Sequence, residues 1–262
     1  MKNLLPSLLA CSIVQLLAGC VVYMPMQCAA PQITDKKQAE VTASTYLNGR
    51  FEIAGTYSPV PHLLVRAASS SLRDDVKDST YYRGRQYDVS LGSYWQLSPR
   101  WLVGGLGGYG KGRSAAGYSQ GGFLLGVGEP VRHDFDVRFN KLFGEAYGIY
   151  QPNEVYSVGA AYRVTQVNFT TLTDAGVPLD LRGMVRSEPM VFVRARLGQG
   201  SVDNRPVQFQ VAWGSSTTFG DDPKDSRDSI RDLKQGRGYM TVGISIFPHC
   251  LLRKEQSAGA VR

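Results

Sequence analysis

From about residue 51 the chain alternates apolar and polar residues with a period of two, the spacing that puts successive side chains on opposite faces of a β-strand. The plainest run is Tyr87 to Leu97. Tyr87, Val89, Leu91, Trp95 and Leu97 share one face with Ser93, and Asp88, Ser90, Gly92, Tyr94 and Gln96 share the other. The same alternation sets Val207, Phe209, Val211 and Trp213 against Gln208, Gln210, Ala212 and Gly214, and Met240, Val242, Ile244 and Ile246 against Tyr239, Thr241, Gly243 and Ser245. It sets Tyr156, Val158, Ala160, Tyr162 and Val164 against Ser157, Gly159, Ala161, Arg163 and Thr165. Each second row is too polar for the core of a β-sandwich. It suits the interior of a barrel whose apolar row faces lipid.

Further strands are expected at Phe51–Tyr57 and Leu63–Ser70, a hairpin around Ser58-Pro59-Val60-Pro61, and at Glu188–Leu197, with a first strand at Val41–Leu47 turning at Asn48-Gly49. Trp101–Lys111 and Phe135–Tyr150 are long and their apolar rows change phase, which predicts bulges. Tight turns at Ser58–His62, Ser98–Arg100 and Gln151–Asn153 interleave with long polar connectors at Ser71–Arg83, Gly112–Asp134, Thr170–Ser187 and Thr217–Arg237. Short turns at one end and long loops at the other predict an all-β, closed antiparallel up-and-down transmembrane β-barrel of about ten strands. An eight-stranded barrel with the first hairpin outside it is the alternative.

Strand ends carry aromatic residues: Trp95 and Trp101 about the Ser98–Arg100 turn, Tyr150 and Tyr156 about Gln151–Asn153, and Phe247 closing the last strand. They read as an interfacial girdle, against ordinary cross-strand aromatic pairing. The expected organisation is a signal peptide over 1–19, an N-terminal linker over 20–40, the barrel over 41–247 and a polar tail over 248–262. Met1-Lys2-Asn3 followed by a mostly apolar stretch to Gly19 has the layout of a secretory signal. Leu17-Ala18-Gly19-Cys20 resembles the lipobox of bacterial lipoproteins, which implies a covalent lipid on Cys20.

With strands, girdle and lipobox together, the chain resembles the small outer-membrane β-barrel proteins of bacteria, in a lipid-anchored form, over roughly Val41 to Phe247. The resemblance implies an outer-membrane location. It also implies outer-membrane lipids and lipopolysaccharide as partners, together with the barrel-insertion and lipoprotein-processing machinery. Such barrels usually end on the last strand's aromatic. Here Phe247 is followed by Pro248-His249-Cys250 and a polar tail, which leaves the insertion signal open.

Composition fits this picture. The 29 Gly and 14 Tyr suit a small barrel with interfacial aromatics. A net charge of +7 raises nucleic acid as a partner, but the Arg residues are dispersed without a contiguous basic run, so none is expected. Gly105-Leu106-Gly107-Gly108-Tyr109-Gly110 matches a dinucleotide fingerprint, yet Gly112-Arg113-Ser114-Ala115-Ala116-Gly117 behind it offers no helix to receive a phosphate. These glycines read as relief of crowding in the wall. The acidic run Asp221–Asp228 interleaves Lys224 and Arg227 and lacks the glycine of a calcium loop, so it reads as a solvated loop. No metal, cofactor or catalytic residue is assigned.

Six inward charges, Glu52, Arg66, Asp88, Arg163, Arg194 and Arg196, are costly to bury unless paired. They are expected to form a lumen-filling network, with a narrow anion-selective pore as the sharper alternative. Cys28 and Cys250 flank the barrel, and a disulfide between them is chemically permitted in an oxidising compartment. The functional expectation is a non-enzymatic barrel with a plugged lumen and a structural or surface-interaction role. Two alternatives stand beside it: a lipid-modifying barrel enzyme using His133 with Asp134 and Ser114 or Ser119, and a tethered lipocalin-like carrier of a small ligand, with a polar exterior and an apolar cavity.

Overall fold

A computed structural model describes residues 22–76, 80–120, 131–198, 205–220 and 228–251. Ten strands form one closed antiparallel ring: β1 (Ala39–Tyr46), β2 (Phe51–Tyr57), β3 (Leu64–Val76), β4 (Thr80–Ser98), β5 (Trp101–Gln120), β6 (Val131–Tyr150), β7 (Tyr156–Asp174), β9 (Gly183–Leu197), β10 (Val207–Thr218) and β11 (Arg237–Ile246). Each pairs with its neighbour, and β1 closes the ring on β11 from Val41↔Ile246 to Tyr46↔Thr241. A two-residue strand, β8 (Val177–Pro178), folds back on β7 through the Ala175-Gly176 turn. Both of those residues have positive φ, as a tight two-residue hairpin turn requires. A short helix, α1 (Asp228–Lys234), lies between β10 and β11.

Both barrel termini and the connections at 58–63, 99–100 and 151–155 lie at one end, here the turn end. The β1–β2 hairpin, the 175–182 connection and α1 lie at the other, the loop end. The expected ten strands are present and those with clean alternation take their expected faces, but several of the long connectors are much shorter than their polarity implied. β3 and β4 continue through most of 71–83, and β5 and β6 through most of 112–134. A wall that rises beyond a lipid layer has water on its outer face, so polar side chains need not stop the backbone ladder. Register slips occur at Gln96/Ser98 between β4 and β5, and at Arg138/Phe139 between β6 and β7. The β5–β6 pairing itself runs unbroken from Trp101↔Tyr150 to Gln120↔Val131.

The exterior is apolar in a band. On β4 the exposed row runs from Tyr87 through Val89, Leu91 and Trp95 to Leu97. Ten residue steps at the tilt usual for such barrels rise roughly 25 Å, the height of an outward apolar band in an outer-membrane barrel. The interior mixes apolar clusters with many buried charged and polar side chains, unlike the apolar cavity of the lipocalin-like alternative. Trp95, Trp101 and Tyr156 are exposed near the turn end, and Trp101 packs on Tyr150 with ring centroids 4.9 Å apart. Phe247 does not join them. It is 0 % exposed and lies under the Arg196 guanidinium, 4.1 Å from its ring centroid, because strand alternation turns it inward one residue after outward Ile246.

The glycine run on β5 has a packing role. A Cβ at Gly108 would lie 2.5 Å from the Phe143 ring and 2.6 Å from the Val89 carbonyl oxygen, and one at Gly112 would lie 2.3 Å from the Phe139 ring. Bare backbone on β5 thus receives the large inward side chains of β6. Gly108→Val is expected to destabilise the barrel by about 1–3 kcal/mol through overpacking, read as a lower urea midpoint for the heat-shifted folded band in detergent.

Candidate functional site

The site is the lumen, and a segment of the chain itself fills it. Residues 22–34 carry no regular secondary structure, yet Val22, Tyr23, Met26, Cys28, Ala29, Ala30 and Ile33 are all buried inside the ring. The expected linker is therefore a plug over its described part. Thr34 lies five residues before Ala39, the first residue of β1 paired with β2, at the turn end. Val22, whose carbonyl accepts from the Ser114 hydroxyl on β5, lies toward the loop end. The segment runs through the barrel from one end to the other.

A backbone inside a barrel cannot pair with the wall's own backbone, whose N–H and C=O groups are already spent on the ladder. Side chains of the inward row must satisfy it instead. Arginine, glutamine and serine side chains donate to the plug's carbonyls, and carboxylates take its N–H groups. Arg163 Nη1 and Nη2 donate to the carbonyls of Met26 and Gln27, both at 3.1 Å. Arg194 Nη1 donates to Ala30 at 2.7 Å, Arg50 donates to Pro25, and Gln86 Nε2 to Met24 at 2.7 Å. In the other direction, the N–H of Gln27 donates to Glu52 (3.1 Å), that of Ala29 to Glu145 (3.1 Å) and that of Gln32 to Glu40 (2.7 Å). The Tyr23 hydroxyl donates to Glu188 at 3.0 Å.

Arg163 is the hub. It is 1 % exposed, bonds Glu145 Oε2 through Nε at 2.7 Å, lies 4.0 Å from Glu188, and its guanidinium sits over the Phe143 ring. A second cluster joins Lys141 to Asp88 at 2.9 Å and to Gln86 at 3.2 Å. A third brings Glu52 within 3.6 Å of Arg50 and 3.9 Å of Arg66. Arg196 is buried against Phe247. Between the plug and the β1–β3 wall the space left is about 30 Å3, room for about one water.

All six inward charges read from the sequence thus lie in the lumen. Glu40, Arg50, Lys141, Glu145, Arg186 and Glu188 join them and were missed. Arg186 and Glu188 were legible, two residues apart on the face already assigned to Arg194 and Arg196. Lys141 and Glu145 were hidden because the inward row of β6 also holds Phe135, Val137, Phe139, Phe143, Tyr147 and Ile149. That row is the more apolar of the two and resembles a lipid-facing row. It is inward because its rings pack on the plug, as Phe139 does edge-on to Tyr23 at 5.4 Å, and over the glycines of β5.

Cys28 and Cys250 are both buried, and no disulfide joins them. They do not pair, because the plug carries Cys28 into the lumen, where its thiol reaches the Glu188 carbonyl at 3.5 Å, while Cys250 sits in the helical turn beyond β11. His133 lies inward at the loop end, with its Nδ1 2.7 Å from Asp174 Oδ2 and its ring stacked on Phe135. Asp134 bonds Tyr81 instead. Ser114 is committed to the plug, and exposed Ser119 points to the opposite face of β5 from Tyr118, which packs on His133. Neither serine faces the histidine. The expected signal segment 1–19, Cys20, residues 221–227 of the acidic run and the tail from 252 lie outside the described residues. Among the described residues no group of His, Cys, Asp and Glu is placed to hold a metal ion.

No family model matches the chain, and no curated protein matches it. Solved structures similar to it are bacterial outer-membrane β-barrels. The N-terminal β-barrel domain of Pseudomonas aeruginosa OprF is 7 % identical with a TM-score of 0.35, covering 81 % of this chain and 98 % of that one. The translocator domain of the autotransporter NalP from Neisseria meningitidis is 8 % identical with a TM-score of 0.44, covering 80 % and 86 %. The outer membrane protease OmpT from Escherichia coli is 13 % identical with a TM-score of 0.43, covering 81 % and 94 %. The chain is thus a closed ten-stranded barrel similar to outer-membrane barrels, with its own N-terminal segment in its lumen.

Proposed function

We propose that this protein is a self-plugged, lipid-anchored outer-membrane β-barrel, non-enzymatic, whose role is structural or one of presenting its loop end to partners. The observation that carries the reading is the plug: residues 22–34 occupy the lumen and are bonded by Arg50, Arg163, Arg194, Glu52 and Glu145. The apolar outer band and the charges buried in the interior support placement in lipid.

The direction of the plug gives the anchor an unusual exit. With short turns on the periplasmic side, the chain leaves the lumen toward the outer face at Val22. Cys20 lies two residues further, within about 7 Å of chain reach. An acyl group on Cys20 then belongs to the outer leaflet, and each buried CH2 holds it there by about 0.8 kcal/mol.

Impermeant maleimide applied to intact cells tests this topology. Val21→Cys is expected to be labelled, while Asp35→Cys at the turn end is labelled only after the outer membrane is opened. Metabolic labelling with an alkyne palmitate, lost in Cys20→Ala, tests the anchor separately. The reverse labelling pattern defeats the threading, and absence of palmitate defeats the lipidation alone.

A further inference from the structure

On β3–β6, just beyond the apolar band toward the loop end, the outward row changes from apolar to cationic. The next outward residues after Tyr87 on β4 are Arg85 and Arg83, and after Tyr109 on β5 they are Lys111 and Arg113. On β6, Leu142 is followed outward by Asn140 and Arg138, and on β3 the exposed row continues through Ser71 to Arg73. Registry makes this a cluster. Arg85 pairs with Arg113, and Arg113 pairs with Arg138, so three guanidinium groups stand side by side on adjacent strands.

Like charges directly opposite one another weaken a sheet. Here Asp136 offers Arg113 one contact at 3.5 Å, with both side chains about half exposed. The other carboxylate described on this face, Asp134, is bonded to Tyr81. The Arg85–Arg113–Arg138 row stores a repulsion that a multivalent anion would relieve. A groove of about 640 Å3 lies between Arg73, Arg83, Arg85 and Arg113, floored in part by Gly84 and Ala115, whose small size lets a ligand approach the wall. The outward residues at the same height on β7 are uncharged: Gln166, Asn168 and Thr170. The row of adjacent cations therefore stops at β6 on this side.

We propose that this face binds the phosphate-bearing headgroup of a glycolipid in the outer leaflet, with Arg85, Arg113 and Arg138 as its principal ligands. The inference rests on the membrane placement proposed above. Position selects the occupant. The groove begins one residue pair beyond the lipid-facing row, where headgroup phosphates lie, and guanidinium forks match phosphate oxygens in pairs. A lipid whose chains lie along Tyr87, Val89 and Leu91 would bring its phosphates into the groove.

The test reconstitutes the full chain in phosphatidylcholine vesicles with and without lipid A, reading bound lipid by native mass spectrometry and stability by heat-shifted gel migration. Wild type is expected to retain lipid A and unfold at a higher temperature in its presence. With Arg85→Gln, Arg113→Gln and Arg138→Gln combined, lipid A affinity is expected to fall roughly 100-fold, at about one factor of ten or less per surface cation. Without lipid A, the triple variant should be at least as stable as wild type, since the repulsion is gone. Arg100→Gln at the turn end should leave lipid A binding unchanged. Equal lipid A binding by wild type and the triple variant overturns the site. Full stabilisation by inorganic phosphate in place of lipid A overturns the lipid assignment. Failure of wild type to enter phosphatidylcholine vesicles defeats the membrane reading itself, whereas insertion with no response to lipid A defeats only this site.

Discussion

A chain lacking residues 22–33 is expected to conduct ions in planar bilayers where the full chain gives a closed barrel. An eight-stranded barrel is just filled by its own side chains, and two further strands widen it. In this protein the extra width is taken by the plug. Its removal strips partners from Arg50, Arg163, Arg194, Glu40, Glu52 and Glu145, all of which then require water. Water admitted to hydrate them opens a continuous path. Seven buried cationic residues against five anionic ones among the described residues set the sign of selectivity, so the reversal potential in a salt gradient should shift toward that of the anion. Silent bilayers with the truncated chain, shown folded by heat-shifted migration, would mean that the wall side chains alone seal the lumen.

The second large effect is expected at Arg163. Arg163→Met keeps much of the apolar stem but removes a charge that Glu145 and Glu188 both face, along with the donors to two plug carbonyls. Removing one partner of a buried charge pair costs about 3–5 kcal/mol, because the other charge stays buried without compensation. The loss should appear as a lower urea midpoint in detergent micelles, and as faster labelling of Cys28 by a small thiol reagent as the plug loosens. Pairing the change with Glu145→Gln should recover part of the stability, which separates the orphaned charge from the lost packing. If Arg163→Met alone matched wild type in both measurements, the hub would have no energetic role.

Period-two patterning was sufficient for the strands whose two rows differ sharply in polarity. Tyr87–Leu97 and Val207–Gly214 took the expected faces, as did the inward positions of Glu52, Arg66, Asp88, Arg163, Arg194 and Arg196. It failed on β6, where an inward row of aromatic side chains outweighs the outward one in apolarity, and at the ends of β3–β6, where polarity was taken for a loop. The segment from Val22 to Thr34 did carry a signal. Two prolines, two methionines, a tyrosine and an isoleucine are too apolar for a solvated linker.

By itself, the sequence determined the antiparallel barrel and which row of each clean strand faces inward, because alternation is a local property of the extended chain. That the ring holds ten strands and not eight was decided by the pairing of β1 with β11. Only the tertiary structure decided what the inward charges bond, since their partners lie as far apart as Ala30 and Arg194 and are joined by a segment with no periodicity of its own. It also decided that three arginines on separate strands stand in one row, because register between strands is set by the closed ring and not by any one strand.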